Sequence, residues 1–197
     1  MKKFAILLLT AFLACPLFAS EAEIRNILVE IKNCTRNMQF DKILALTATD
    51  YMGKTSDGKA LTYERISQLP KLTALCNDPD SKLSDLLITA AILAGQKPNE
   101  QQIAEIKAHD DTPQGKELAA IMKKQYKDLL ENQKEMFKQA ADSFKIISIK
   151  VNGDTATAVY NDFNPVKKRN QQTTATFAKR NGKWLLVREV TEYLKGN

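Results

Sequence analysis

Ile149-Lys150-Val151-Asn152-Gly153-Asp154-Thr155-Ala156 and Lys179-Arg180-Asn181-Gly182-Lys183-Trp184-Leu185-Leu186-Val187 each set Asn-Gly between two β-rich runs. Asn-Gly is the strongest short hairpin signal, because a two-residue I′ turn needs a positive φ at both central positions. Working outward, Phe144–Val151 returns as Asp154–Phe163, and Thr173–Arg180 returns as Lys183–Thr191. Four antiparallel strands in two hairpins follow. Register sorts the faces. Pairing Val151 with Asp154 sets Ile147, Ile149, Ala156 and Ala158 on one face and Ser148, Lys150, Thr155 and Thr157 on the other. Pairing Lys179 with Trp184 sets Phe177 opposite Leu186, Ala175 opposite Arg188, and Ala178 opposite Leu185. The first hairpin is half polar, as a sheet covered on one side should be. The second is apolar on both faces, so a helix, a ligand or a second subunit must cover it.

Upstream, helical spacing of Ile24, Ile27, Leu28, Ile31 and Cys34 predicts a helix over Glu21–Asn37, and Phe40–Leu46 a shorter one. Tyr51–Thr62 reads as a small third hairpin around Ser56-Asp57-Gly58. Thr62 then caps a helix that Pro70 should stop. Ser81 is expected to cap an apolar helix over Lys82–Ala94, closed by Gly95. Pro98 opens another that ends near His109, and Thr112-Pro113 opens a long one to about Asp142. Leu118, Met122, Tyr126, Leu129, Met136 and Ala140 form its apolar stripe. The pattern has no repeat and no low-complexity linker.

This order of elements resembles the nuclear transport factor 2-like superfamily, which includes ketosteroid isomerase-like and polyketide cyclase-like proteins. The stretches that carry the resemblance are Phe40–Leu46 leading to Asp50-Tyr51, then Val151–Ala158, then Lys179–Val187 with its Gly-Lys-Trp. The resemblance implies an α+β fold: N-terminal helices packed on a curved antiparallel sheet in a cone, enclosing an apolar cavity used for binding or catalysis. The helices at about 70–112 stand out from that pattern and read as an inserted segment.

Met1-Lys2-Lys3, the apolar run Phe4–Ala14 and Pro16-Leu17-Phe18-Ala19-Ser20 read as a secretory signal peptide cleaved after Ala19. The alternative is lipid attachment at Cys15 after Leu13-Ala14. Either way the expected location is the periplasm, with residues 20–197 forming one domain. Cleavage removes Lys2 and Lys3 and brings the net charge from +6 to +4. That is too little for a nucleic-acid footprint. Cys34 and Cys76 remain, and an even pair in an exported chain reads as a disulfide, with two buried thiols as the alternative.

The chemistry is sparse. The one histidine, His109, lies beside Asp110-Asp111 without a partner or ligand spacing, so neither a catalytic base nor a metal centre is expected there. No P-loop, G-x-G-x-x-G or G-x-S-x-G is present, and no cofactor is implied. Asp50-Tyr51, Tyr160 and Asp162 are the available acid–hydroxyl combinations, and no catalytic residue of the resembled enzymes maps onto them. Counting faces makes Tyr51, Tyr160, Phe163, Phe177 and Trp184 the expected lining of an apolar ligand cavity. Lys167, Lys168 and Arg169 form a basic loop between the hairpins, read either as a headgroup or acidic-partner patch or as a solvated tip. The sequence therefore predicts a non-enzymatic binding domain for a small apolar molecule, lipid or protein. Two alternatives stand beside it: an envelope interaction or toxin-neutralising protein with a filled pocket, and an isomerase-like or cyclase-like enzyme. A homodimer is compatible with all three.

Overall fold

The computed structural model describes residues 20–194. The leader expected at residues 1–19, Cys15 included, lies outside them. Helix α1 covers residues 20–36, and α2 is Phe40–Ala45. Strands β1 (Thr47–Lys54) and β2 (Ala60–Thr62) form the small hairpin. Four helices follow: α3 (Tyr63–Ile66), α4 (Gln68–Asn77), α5 (Leu83–Leu93) and α6 (Glu100–Lys107). The long α7 (Pro113–Ser143) leads into β3 (Lys145–Asn152), β4 (Thr155–Asn164), β5 (Arg169–Arg180) and β6 (Lys183–Tyr193).

The fold is α+β, with one six-stranded sheet in the order β2-β1-β6-β5-β4-β3. The sheet is mixed rather than wholly antiparallel, because β1 runs parallel to β6. Such a pair needs a crossover, and α3 to α7 with the β3–β5 meander supply it.

Both hairpins form, with shifts. Asn181 and Gly182 have φ of 51° and 79°, the I′ pattern. In the first hairpin Asn152 pairs with Thr155, so the turn is Gly153-Asp154, and only Gly153 has a positive φ, as in a II′ turn. Val151 thus meets Ala156 and Ile149 meets Ala158, a slide of two residues that preserves the faces. A bulge between Ile146 and Ser148 then turns Ile147 outward, where it is exposed, and Ile146 packs on the core in its place. A second bulge follows Leu186: Thr176 pairs with Arg188 and Ala175 with Glu189, not with Arg188. Bulges bend the strand and raise its twist, which curves this sheet.

Two cores result. The first joins α1 to the sheet through Ile24, Leu28, Tyr51, Ala158, Phe177 and Leu186. The second lies among α4, α5 and α7 and holds Leu72, Cys76, Leu83, Leu86 and Ala119. The segment expected as an insertion is therefore helical, but α5 does not plug the sheet's concave side; it belongs to the second core. Pro70 does not stop a helix. It sits in the first turn of α4, where its missing N–H has no helical acceptor to lose. Pro98 likewise precedes α6, which Asn99 opens with a full capping box. Leu118 and Leu129 of the α7 stripe are exposed, whereas Met122 and Tyr126 pack on the second core.

Ser81 does not cap α5. Its hydroxyl donates to the Leu75 carbonyl, and Lys82 stands at the N-cap without a side-chain bond. The cap comes from Asp110, buried to 8% exposure, whose carboxylate accepts from Ser84 N at 2.8 Å and Ser84 Oγ at 2.7 Å. The turn that presents Asp110 is held by Thr112 Oγ1, which donates to the His109 carbonyl and accepts from Gly115 N. A Cβ at position 115 would lie 1.8 Å from that carbonyl oxygen, so only glycine fits. At the other end of α5, Arg65 donates through Nε and Nη2 to the Leu93 carbonyl at 3.2 and 3.0 Å and through Nη1 to Ala60. That one guanidinium ties the helical layer to β2.

Candidate functional site

The structure brings Tyr51, Tyr160, Phe177 and Trp184 together, at 3%, 7%, 0% and 5% exposure. They meet as core, packed with Ile24 and Leu28 of α1, and line none of the three cavities described below. Phe163 stands apart at the end of β4, half-buried, its N–H donating to Ser143 Oγ. The reason is that α1 lays its apolar stripe onto the face that counting had left open.

What holds the tyrosine hydroxyls in that core is Glu189. The β6 bulge sets it opposite Ala175, on the inner face. Tyr51 donates to its Oε2 at 2.9 Å and Tyr160 to its Oε1 at 2.5 Å. Glu189 is half-buried as a residue, yet its carboxylate lies deep enough for burial to push its pKa up, against the two hydroxyl donors that lower it. The neighbouring Asp162 adds to the rise. Asp162 is itself raised by burial, partly offset by the nearby Gln171 side chain, and its Oδ1 is enclosed without a hydrogen-bond partner among the described residues. Burial and the facing carboxylate raise both tyrosines, which stay protonated donors. Sequence reading weighed Tyr51, Tyr160 and Asp162 but missed Glu189, since regular alternation from Trp184 points it outward. Asp50, the other candidate acid, is exposed and bound by Arg180 through two 2.7 Å hydrogen bonds, which hold it below the usual carboxylate range. His109 is exposed.

The raised acids have a measurable sign. A carboxyl with a higher pKa folded than unfolded contributes stability that is fully present below the unfolded value, near 4.3 for Glu and 3.9 for Asp. That contribution is lost as pH rises through the folded value. Wild-type melting temperature should therefore decline from about pH 4 upward relative to Glu189→Gln, which cannot ionise. Thermal scans across that range check this, and parallel curves for the two proteins would sink it.

The described cavities all border α5 or the loop after it. A groove of about 570 Å³ lies between α5 and α6, with Leu87, Ala91, Pro98 and Ile106 as its apolar floor and Gln96, Lys97, Gln102 and Glu105 at its rim. A cleft of about 210 Å³ among α4, α5 and α7 is lined by Leu72, Leu86, Ala90, Met122, Tyr126 and Leu129, among others. A third, about 170 Å³, shares Gln96 and Lys97 with the first and reaches Arg65. Nothing in the sequence marked these, because they arise where helices pack imperfectly rather than from a motif.

Cys34 and Cys76 are both buried and free, which corrects the expected bridge. Their neighbourhoods differ. Burial raises Cys34 among Glu30, Lys42 and Asp41 of α1 and α2, and burial raises Cys76 beside Lys123 and Lys127 of α7. Lys167, Lys168 and Arg169 lie exposed at the β4–β5 tip, as expected.

No protein-family model matches the chain, and no curated protein does. Among solved structures it is similar to an NTF2-like protein with a cystatin-like fold from Novosphingobium aromaticivorans, at 14% identity over 96% of this chain and 92% of that one, with a TM-score of 0.48. It is also similar to an NTF2-like protein of unknown function from Pseudomonas putida (11% identity, 89% and 87% covered, TM-score 0.42). A third is an uncharacterized protein with a cystatin-like fold from Caulobacter vibrioides (7%, 88% and 89%, 0.40). Function has to be argued from this chain's own side chains.

Proposed function

We propose that the chain is an exported, periplasmic, non-enzymatic binding domain whose ligand is a small apolar molecule held between α5 and α6. The supporting observation is the 570 Å³ groove. Its volume is in the range of small-molecule sites, and Leu87, Ala91, Pro98 and Ile106 give it an apolar floor beneath an equally large polar rim. Export rests on the charged, apolar and small-residue order of residues 1–20. Titration with 1-anilinonaphthalene-8-sulfonate tests the site. Saturable fluorescence gain is expected in the wild type and at least a tenfold weaker signal in Ala91→Phe, which fills the floor, at unchanged melting temperature. Equal binding by the two proteins would overturn the groove as the site.

One observation favours a second reading, an isomerase-like or cyclase-like enzyme. Glu189, Asp162, Tyr51 and Tyr160 are the acid and hydroxyl types that proton transfer needs. Glu189, Tyr51 and Tyr160 close on one another, however, and none of the described cavities borders them or Asp162. Binding therefore stands first.

A further inference from the structure

The β4–β5 hairpin ends in Val166-Lys167-Lys168-Arg169, and its construction sets it apart from the other tips of the sheet. Val166 is 70% exposed, more than any other exposed large hydrophobic side chain among the described residues. Lys167, Lys168 and Arg169 follow directly, all exposed, and none is in an ion pair among the described residues. At the opposite end of the sheet Arg180 pairs with Asp50 and Lys179 with Glu23, which leaves Lys183 as a single exposed cation at that turn rather than a run of three. The tip is also held in shape. Asn164 Oδ1 accepts from Lys167 N at 3.0 Å, and Arg169 lies 4.9 Å over the Tyr193 ring. Lys168 has φ 52°, the left-handed region that glycine or asparagine normally fills. A lysine held there keeps a third consecutive charge at the apex where glycine would be easier for the backbone.

We propose that this tip docks on an anionic phospholipid surface, with Val166 entering the headgroup layer and Lys167, Lys168 and Arg169 on its phosphates. A bilayer suits it better than an acidic protein. Stable protein interfaces bury about 800 Å² per partner, far beyond one hairpin apex. A membrane surface needs no complementary pocket and rewards an apolar point ringed by cations. Each Lys or Arg near such a surface strengthens partitioning about fivefold, so three together are worth about a hundredfold. This surface is independent of what the α5–α6 groove holds.

Co-sedimentation with vesicles tests it, using phosphatidylcholine alone and phosphatidylcholine with roughly one third phosphatidylglycerol. Binding is expected only to the anionic vesicles and should be released near 0.5 M NaCl, where the Debye length is roughly 4 Å. K167E/K168E/R169E should lose at least about a hundredfold in partitioning, and Val166→Asp several-fold. Equal binding to neutral vesicles overturns the proposal, as does unaltered binding by either variant. Should a variant unfold, the wild type's dependence on phosphatidylglycerol content decides alone: binding independent of it overturns the proposal.

Discussion

Phe177→Ala is expected to lower the stability of the protein by about 3–5 kcal/mol, the range for truncating a buried phenylalanine. Phe177 has 0% exposure, faces Ala156 on β4 and Leu186 on β6, and packs in the α1–sheet core with Ile24 and Leu28. Removal takes a ring out of a site where rigid strands on both sides leave little room for collapse. For a chain of this size each kcal/mol moves the melting temperature by roughly 2–4 °C, so the drop should be roughly 6–20 °C. The result also discriminates. A side chain lining an open ligand slot would tolerate truncation in the unliganded protein. A loss under ~1 kcal/mol by circular dichroism melts would mean that the concave face is not filled as described.

Asp110→Ala should be almost as damaging, at about 2–4 kcal/mol. Ser84 is 2% exposed, and both its N–H and its hydroxyl donate to the Asp110 carboxylate. Truncation leaves two buried donors unpaired, each worth about 1–3 kcal/mol. It also removes the negative charge from the N-terminal end of α5. Asp110→Asn keeps one acceptor oxygen and should recover about half of the loss in a urea titration. The two variants have a second readout, because α5 borders every cavity described here. Probe binding in the α5–α6 groove should weaken with Asp110→Ala even at temperatures where the protein stays folded. An Asp110→Ala protein as stable as the wild type would show that the cap is dispensable.

The contrast between these residues shows what could be read from the sequence. Asn181-Gly182 and Thr112-Pro113 act over a few residues, and both do what local chemistry predicts. Strand parity was readable too, so Phe177, Trp184 and Leu186 share a buried face as expected. Three things were not. Asp110 caps a helix from 26 residues away, a relation that only packing creates. The parallel pairing of β1 with β6 depends on where the crossover lands. The extra residue near Val187 breaks alternation without any glycine to announce it. Regular alternation sets Glu189 outward, so the acid that organises Tyr51 and Tyr160 stayed hidden. The open face of the second hairpin was correctly seen to need a cover, but α1 supplies it, so the aromatic lining became core.

Strand β6 thus runs in two phases. Up to Leu186 the even-numbered residues point inward, and from Glu189 onward the odd-numbered ones do. Such a phase change is a property of chain length rather than of any side chain. If the strand annealed its bulge at constant length by slipping one position beyond it, Arg188 would replace Glu189 beneath the two tyrosines, setting a cation against two hydroxyl donors. A chain shortened by Val187 alone would instead keep Glu189 opposite Ala175 while straightening the strand. The inward carboxylate and the bend of the sheet are therefore separable inheritances of one inserted residue, and a single deletion can part them.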